Sequence, residues 1–421
     1  MTSVAYSNKG QRLAFTVQSA MATVNTTSPK DVKSEGEIKI GPAQSQGVVP
    51  DVVFVNADET EKPVVFKEAT SDAVTVSTLI RQAAAAGGEP FSVSAFRSGG
   101  YTVAAANADT TLASYASTTS YTLAESSTDA AGEFRSITLV DGRIIPVLFS
   151  ADGAAGAITP LYALPAAAQK DAVVKKTFTI TPGQPGPVPD DKFLSFFYAN
   201  RANPSDRCVK VTGAFLASLG DIVVEPGKLP KLDMTFGAAD VSESVTTVLM
   251  TTANDFSDAV PVKVCDNTLV YMAAYDPAGS ITASYQKCLK ATIKTGKKAE
   301  IIPGLGDSTC LNNMQGAMGV NEPCEVTLEM LWDADKITDW EGTNADKMIA
   351  IIQPSTAATV PAWAFVVPKA HIMERFETDL GGNMIKMTIK YTANIPGMGS
   401  VTTVDAQVNQ PWYFGIADRS A

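Results

Sequence analysis

Residues 324–332 alternate apolar and polar side chains, which places Cys324, Val326, Leu328, Met330 and Trp332 on one face. A period of two with one apolar face specifies a half-buried β-strand and is incompatible with a helix of period 3.6. The same alternation recurs at 36–41, 176–181, 231–236 and 383–391, with Leu232, Met234 and Phe236 sharing one face and Ile385, Met387, Ile389 and Tyr391 another. Shorter apolar runs at 51–56, 62–67, 193–198, 208–212, 268–272, 288–294, 348–352, 363–367 and 371–376 also read as strands. Asp141-Gly142, set between apolar runs at 135–140 and 143–149, predicts a hairpin turn. A chain punctuated by 30 Gly and 24 Pro, with 45% hydrophobic residues, is expected to be mainly β with a sizeable core.

One stretch suggests a helix. Residues 76–86 carry Leu79, Ile80 and Ala83 on one face and four consecutive alanines. Thr75 or Ser77 stands ready to cap the start, and Gly87-Gly88 follows the end. Residues 1–35 read as a polar arm with an apolar patch at 13–17. Residues 100–130, rich in Ala, Ser and Thr, read as an exposed ribbon. Four prolines within 182–191 cannot sit in a central strand and predict an extended surface loop. Residues 237–262 look like a junction, so the expected domains are an arm at 1–35, a first β domain at 36–245 and a second at 246–421. Cys208-Val-Lys-Val-Thr212 and Cys288-Leu-Lys-Ala-Thr292 match at three of five positions, which fits an internal duplication.

The charge excludes several function classes. With 33 basic and 44 acidic residues the net charge is −11, against the basic face that phosphate binding requires. No run of 18 apolar residues exists, so no membrane span is expected, and the first residues lack a signal-peptide pattern. Cys208, Cys265, Cys288, Cys310 and Cys324 form no CxxC and are odd in number, which suits reduced thiols in a cytoplasm. His371 is the single histidine, so most metal and acid–base constellations are unavailable, and no cofactor or metal is expected.

Candidate catalytic motifs fail on spacing. Ser284-Tyr-Gln-Lys287 and Lys294-Thr-Gly296 match the SxxK and KTG strings of penicillin-binding proteins, but they lie too close together to be separate parts of a site. Gly306-Asp-Ser308 has no partner histidine on a matching Asp-x-x-His. The acidic run from Asp333 puts Thr338 where a calcium loop needs Gly, and Asn344 where it needs Glu. The chain is expected not to be an enzyme. Residues 307–346 hold nine acids, Asp307, Glu322, Glu325, Glu329, Asp333, Asp335, Asp339, Glu341 and Asp346, against Lys336 alone.

The order of these elements resembles a phage major tail tube protein of the duplicated type. The segments that carry the resemblance are Leu79-Ile-Arg-Gln-Ala83 between strands; the strands at 178–180 and 208–236, including Val224-Glu-Pro-Gly-Lys-Leu-Pro-Lys-Leu-Asp-Met-Thr-Phe236; the strand at 324–332 with its acidic sequel and 348–352; and Phe365-Val-Val-Pro-Lys-Ala-His-Ile-Met373 leading into 383–391. The resemblance implies two tandem antiparallel β-barrel or sandwich domains, each with a short flanking helix. It implies homotrimeric, pseudo-sixfold rings that stack into a virion tail, assembled in the host cytoplasm.

The implied partners are further copies of the chain, tail terminator and baseplate or tail-tip proteins, a tape-measure protein and DNA that passes during ejection without stable binding. An acidic bore would repel DNA, since three chains bring three times −11, or −33, formal charges. Glu225, Asp233, Glu325, Glu329, Asp333, Asp335, Asp339 and Glu341 are the candidate lumen-facing residues. The competing expectations are another virion β protein, such as a capsid decoration or minor tail protein, and a secreted adhesin of Ig-like domains.

Overall fold

The computed structural model describes residues 11–417, apart from 28, 37, 42–43, 47–64, 68, 83–87, 105–109, 114–120, 123–131, 153–156, 176, 201–207, 245–267, 276–283, 305–310, 332–345, 357–359, 380–385 and 395–407. The described chain is mainly β: two sheets of eleven strands, one of four and two of two, with no closed barrel.

The first large sheet is centred on Cys208–Leu219. One side of that strand pairs with Leu194–Asn200, the other with Lys231–Ala238 and then with Asp240–Ser244. Gln11–Val17 runs beside Leu194–Asn200 in unbroken register, from Gln11 opposite Asn200 to Val17 opposite Leu194. Thr70–Leu79 lies along Lys231–Ala238, and Lys297–Pro303 with Met314–Asn321 extend the sheet on its far side. In the second large sheet, Cys288–Lys294, Glu325–Leu331, Lys386–Ala393, Trp363–Asp379, Lys347–Gln353 and Leu269–Ala274 follow one another. Thr177–Thr181 and Tyr413–Ala417 join it beside Trp363–Asp379.

The two sheets enclose the main core, where Phe196, Phe236 and Val76 of the first share a cluster with Leu328, Ile351, Phe365 and Ile389 of the second. The helix Phe91–Ser98 lies within that core. Pro90 precedes it and Gly99-Gly100 ends it, with Gly100 at φ 73°. Phe91 packs 5.0 Å from Phe15, and Phe96 packs 5.8 Å from Phe414, so one short helix touches both sheets. A second core covers the opposite face of the second sheet. There Met348, Ala350, Ile352, Ala364 and Val366 meet Ile137, Ile145, Val147 and Leu148 of the hairpin Phe134–Thr138 and Ile144–Asp152. This three-layer stacking explains why 348–352 is apolar without alternation: both of its faces are dry.

Other expectations need correction. Residues 70–79 form a strand, not the start of a helix, because Val74, Thr75, Val76 and Thr78 suit a pleated surface and pair along Lys231–Ala238. The long-range partner overrides the local helix pattern, and the alanines at 83–86 lie outside the described residues. Residues 11–17 and 30–32 are not an arm but adjacent strands of the sheet, with Leu13 and Ala14 fully buried. Nor do the sheets divide at residue 245. Lys297–Pro303 and Met314–Asn321 belong to the first sheet, while Thr102–Ala104, Thr177–Thr181 and Ile222–Val224 belong to the second.

The chain crosses between sheets at tight corners. Thr295-Gly296 alone separates Cys288–Lys294 in the second sheet from Lys297–Pro303 in the first. Gly296 sits at φ 72°, and a Cβ there would come within 2.4 Å of the Pro323 carbonyl oxygen, so only glycine makes this corner. The Trp412 indole N–H donates to the Thr295 carbonyl at 3.1 Å and fixes the corner to the core.

Candidate functional site

Of the described candidate acids, Glu325 and Glu329 sit on the outer face of the second sheet and Asp233 on the first. Val326, Leu328 and Met330 are buried, so strand alternation sends Glu325, Thr327 and Glu329 to the opposite, wet face. The register sets Lys294 opposite Glu325 and Lys290 opposite Glu329 on one neighbouring strand, and Lys390 opposite Thr327 on the other. Glu325 takes Lys390 at 3.4 Å and Lys294 at 3.8 Å, and Glu329 takes Lys290 at 3.2 Å. The face is a Lys–Glu–Lys ladder across three strands. Cross-strand pairs of this kind contribute roughly 0.2–1 kcal/mol each.

The remaining acids are less uniform. Glu322 pairs with Lys298 at 2.5 Å, and this partner holds its carboxyl below the usual carboxylate range. Asp346 faces Lys369 at 3.5 Å and His371 Nδ1 at 3.0 Å. Glu225 is paired with Lys228 across a turn, whereas Asp233 is exposed on Lys231–Ala238 with its Cα opposite that of Ser77. Asp307, Asp333, Asp335, Asp339 and Glu341, with the segment expected to make one or two helical turns, lie outside the described residues. Every described acid of the 307–346 cluster therefore has a lysine within 4 Å, which for Asp346 is Lys369. The local count of charge did not contain that information.

Several strands have a neighbour on one side only among the described residues, and two of them matter for assembly. Trp363–Asp379 has strands on both sides only as far as Ala370, where Lys347 is its last partner on one edge. Residues 371–379 pair with Lys386–Ala393 alone, through register shifts after Ile372 and Glu374, and the other edge has no strand among the described residues. Met373 on this segment is 51% exposed. In the first sheet Asp240–Ser244 pairs with Cys208–Thr212 and with no second strand among the described residues.

The proline-rich segment at 182–191 is fastened rather than loose. Gly186–Pro187 pairs with Met318 and Gly319 at the sheet margin, the place where a strand tolerates proline. Asn321 Nδ2 donates to the Gly183 carbonyl at 2.9 Å, and the Lys297 ammonium donates to the Pro182 carbonyl. Lys297 is 3% exposed and lies 5.6 Å from the centre of the Tyr101 ring. Burial brings its pKa down to about 8, since an ammonium is costly to remove from water.

The tested catalytic strings occupy structural places. Lys294 belongs to the ladder, Thr295 and Gly296 make the sheet-crossing corner, and Ser284 pairs opposite Met272. Burial pushes the Cys288 thiol up to about 11 and raises that of Cys324 further, so both are held as thiols. No protein-family model matches the sequence, and a search of the curated proteins finds no match.

Proposed function

We propose that this chain is a structural subunit of a phage tail tube, polymerising as stacked rings and performing no chemistry. The observation that carries the reading is the edge at residues 371–379 that has no strand beside it among the described residues, together with the one at Asp240–Ser244 on the other large sheet. An unpaired strand edge in a free monomer is an aggregation hazard, and it becomes an asset when an identical chain completes it. The two margins lie on different strands, so a contact joining them is heterologous, and heterologous contacts close into rings when the rotation permits.

In this reading three chains form a pseudo-sixfold ring, successive rings stack, and the bore conducts DNA without gripping it. The net charge of −11 suits such a bore. Asp233 is a better candidate for its wall than Glu325 and Glu329, whose charge the ladder lysines offset. Negative-stain imaging of the concentrated, purified protein tests this. Hollow rods with a regular axial repeat support it, whereas discrete particles at every concentration contradict it and favour a capsid decoration or minor tail protein.

A further inference from the structure

We infer that a single water molecule is bound between the end of the strand Thr70–Leu79 and the start of the helix Phe91–Ser98, where it serves as the helix cap. Gln82 Oε1 and Ser92 Oγ are buried atoms without a hydrogen-bond partner among the described residues, on side chains 2% and 4% exposed. Both residues line one small cavity. Buried polar atoms in folded proteins nearly always find a partner, either a protein group or ordered water.

The helix itself begins without a cap. Its first N–H groups have no acceptor within the helix, and Pro90 before them makes no side-chain capping bond. Pro90, Phe91 and Ser92 line the same cavity, so it lies at the uncapped end. A partner held there meets an orphaned acceptor from the strand side and orphaned donors from the helix side.

Size and chemistry select water. The cavity holds about 20 Å³, and one water needs roughly 10–15 Å³ with about two to four polar partners. Gln82 Nε2 donates to the Val360 carbonyl at 3.4 Å, which leaves Oε1 as the acceptor on the other side of the amide. The Ser92 hydroxyl can donate or accept. A water can donate to Gln82 Oε1 while it accepts from the Ser92 hydroxyl or a helix N–H, and no ion of one sign can do both. An anion meets the Gln82 oxygen, and a cation meets the positive end of the helix.

The other polar groups on the wall are occupied. Arg12 takes both oxygens of Asp31, from Nε at 2.5 Å and from Nη2 at 2.7 Å, so Asp31 is no cation ligand here. Arg81 pairs with Glu35 at 2.6 Å, and Thr78 Oγ1 donates to the Leu79 carbonyl at 3.2 Å. The water thus ties the end of a first-sheet strand to the helix that touches both sheets.

A high-resolution crystal structure of the full chain tests this directly. One density peak is expected within about 2.5–3.2 Å of both Gln82 Oε1 and Ser92 Oγ. No peak, or the two side chains paired with protein groups instead, overturns the inference. An anomalous signal at the site in crystals grown with bromide also overturns it, since that would make the occupant an anion. In solution, oxygen-17 relaxation dispersion should count one long-lived water fewer in a Gln82→Leu/Ser92→Val chain than in wild type, and equal counts contradict the assignment. The structure of the unaltered chain keeps the test valid if the variant folds poorly.

Discussion

Two parts of the second sheet use the same secondary structure under opposite conditions. Lys347–Gln353 and residues 363–367 lie between two cores, with Ile349, Ile351, Phe365 and Val367 facing one and Met348, Ala350, Ala364 and Val366 facing the other. Cys288–Lys294, Glu325–Leu331 and Lys386–Ala393 have one dry face and one wet face, and the wet face carries the Lys–Glu–Lys ladder. Continuous apolar sequence marks the first region and alternation the second. The pattern along a strand thus counts its dry faces, and the region with two should hold most of the stability while the region with one should tolerate change.

Substitution should expose that difference. Phe365→Ala removes a ring stacked 5.4 Å from Trp412 and 6.1 Å from Phe414, at a position 1% exposed. Its expected cost is about 3–5 kcal/mol in urea unfolding, and a loss under 1 kcal/mol would break the comparison. Gly296→Ala should rank next, at about 1–3 kcal/mol, because it strains a left-handed corner against the Pro323 carbonyl. A smaller loss there would mean that the crossing between sheets relaxes freely.

The pH dependence sharpens the account of the fastened loop. Lys297 has a folded pKa near 8, below its ordinary value of 10.5, so between those values the unfolded chain binds the more protons. Stability from this group should therefore rise with pH across that window, by at most about 1.4 kcal/mol per pH unit. Melting curves of wild type and Lys297→Met, compared from pH 7 to 10, check this: wild type should gain stability with pH relative to the variant, and equal pH dependence in the two chains would contradict it. Smallest is the ladder. Glu325→Gln should cost under about 1 kcal/mol at low ionic strength and still less at 0.5 M salt. A larger, salt-independent loss would show that the wet face holds the sheet together after all.

Local signals in the sequence carried much of this fold. The alternation of Val326, Leu328 and Met330, the face shared by Leu232, Met234 and Phe236, and the Asp141-Gly142 turn, where Gly142 has φ 83°, all appear as read. What failed was nonlocal. The helix pattern at 76–86 competed with a strand partner 158 residues away, shown by Val76 opposite Met234. The helix at 91–98 holds three serines and little periodicity, and its clearest signals are Pro90 before it and the glycine pair after it. Sheet membership was not legible either, since contacts such as Ser218 opposite Lys298 join segments with no sequence sign of each other. The pairing of the acidic cluster was not legible for the same reason: Lys290, Lys294 and Lys390 reach Glu325 and Glu329 only through strand register.

The proposed assembly requires a second copy to complete the strand margins at 371–379 and 240–244. Hydrogen exchange of the backbone amides at 371–379 and 240–244, followed from dilute to concentrated protein, addresses it most directly. The outward-facing amides of these segments should exchange freely in the dilute chain and become protected as assemblies form, while those of Lys347–Gln353 stay protected throughout. Protection of both margins already complete in the dilute monomer, or assemblies whose margins still exchange freely, would contradict it.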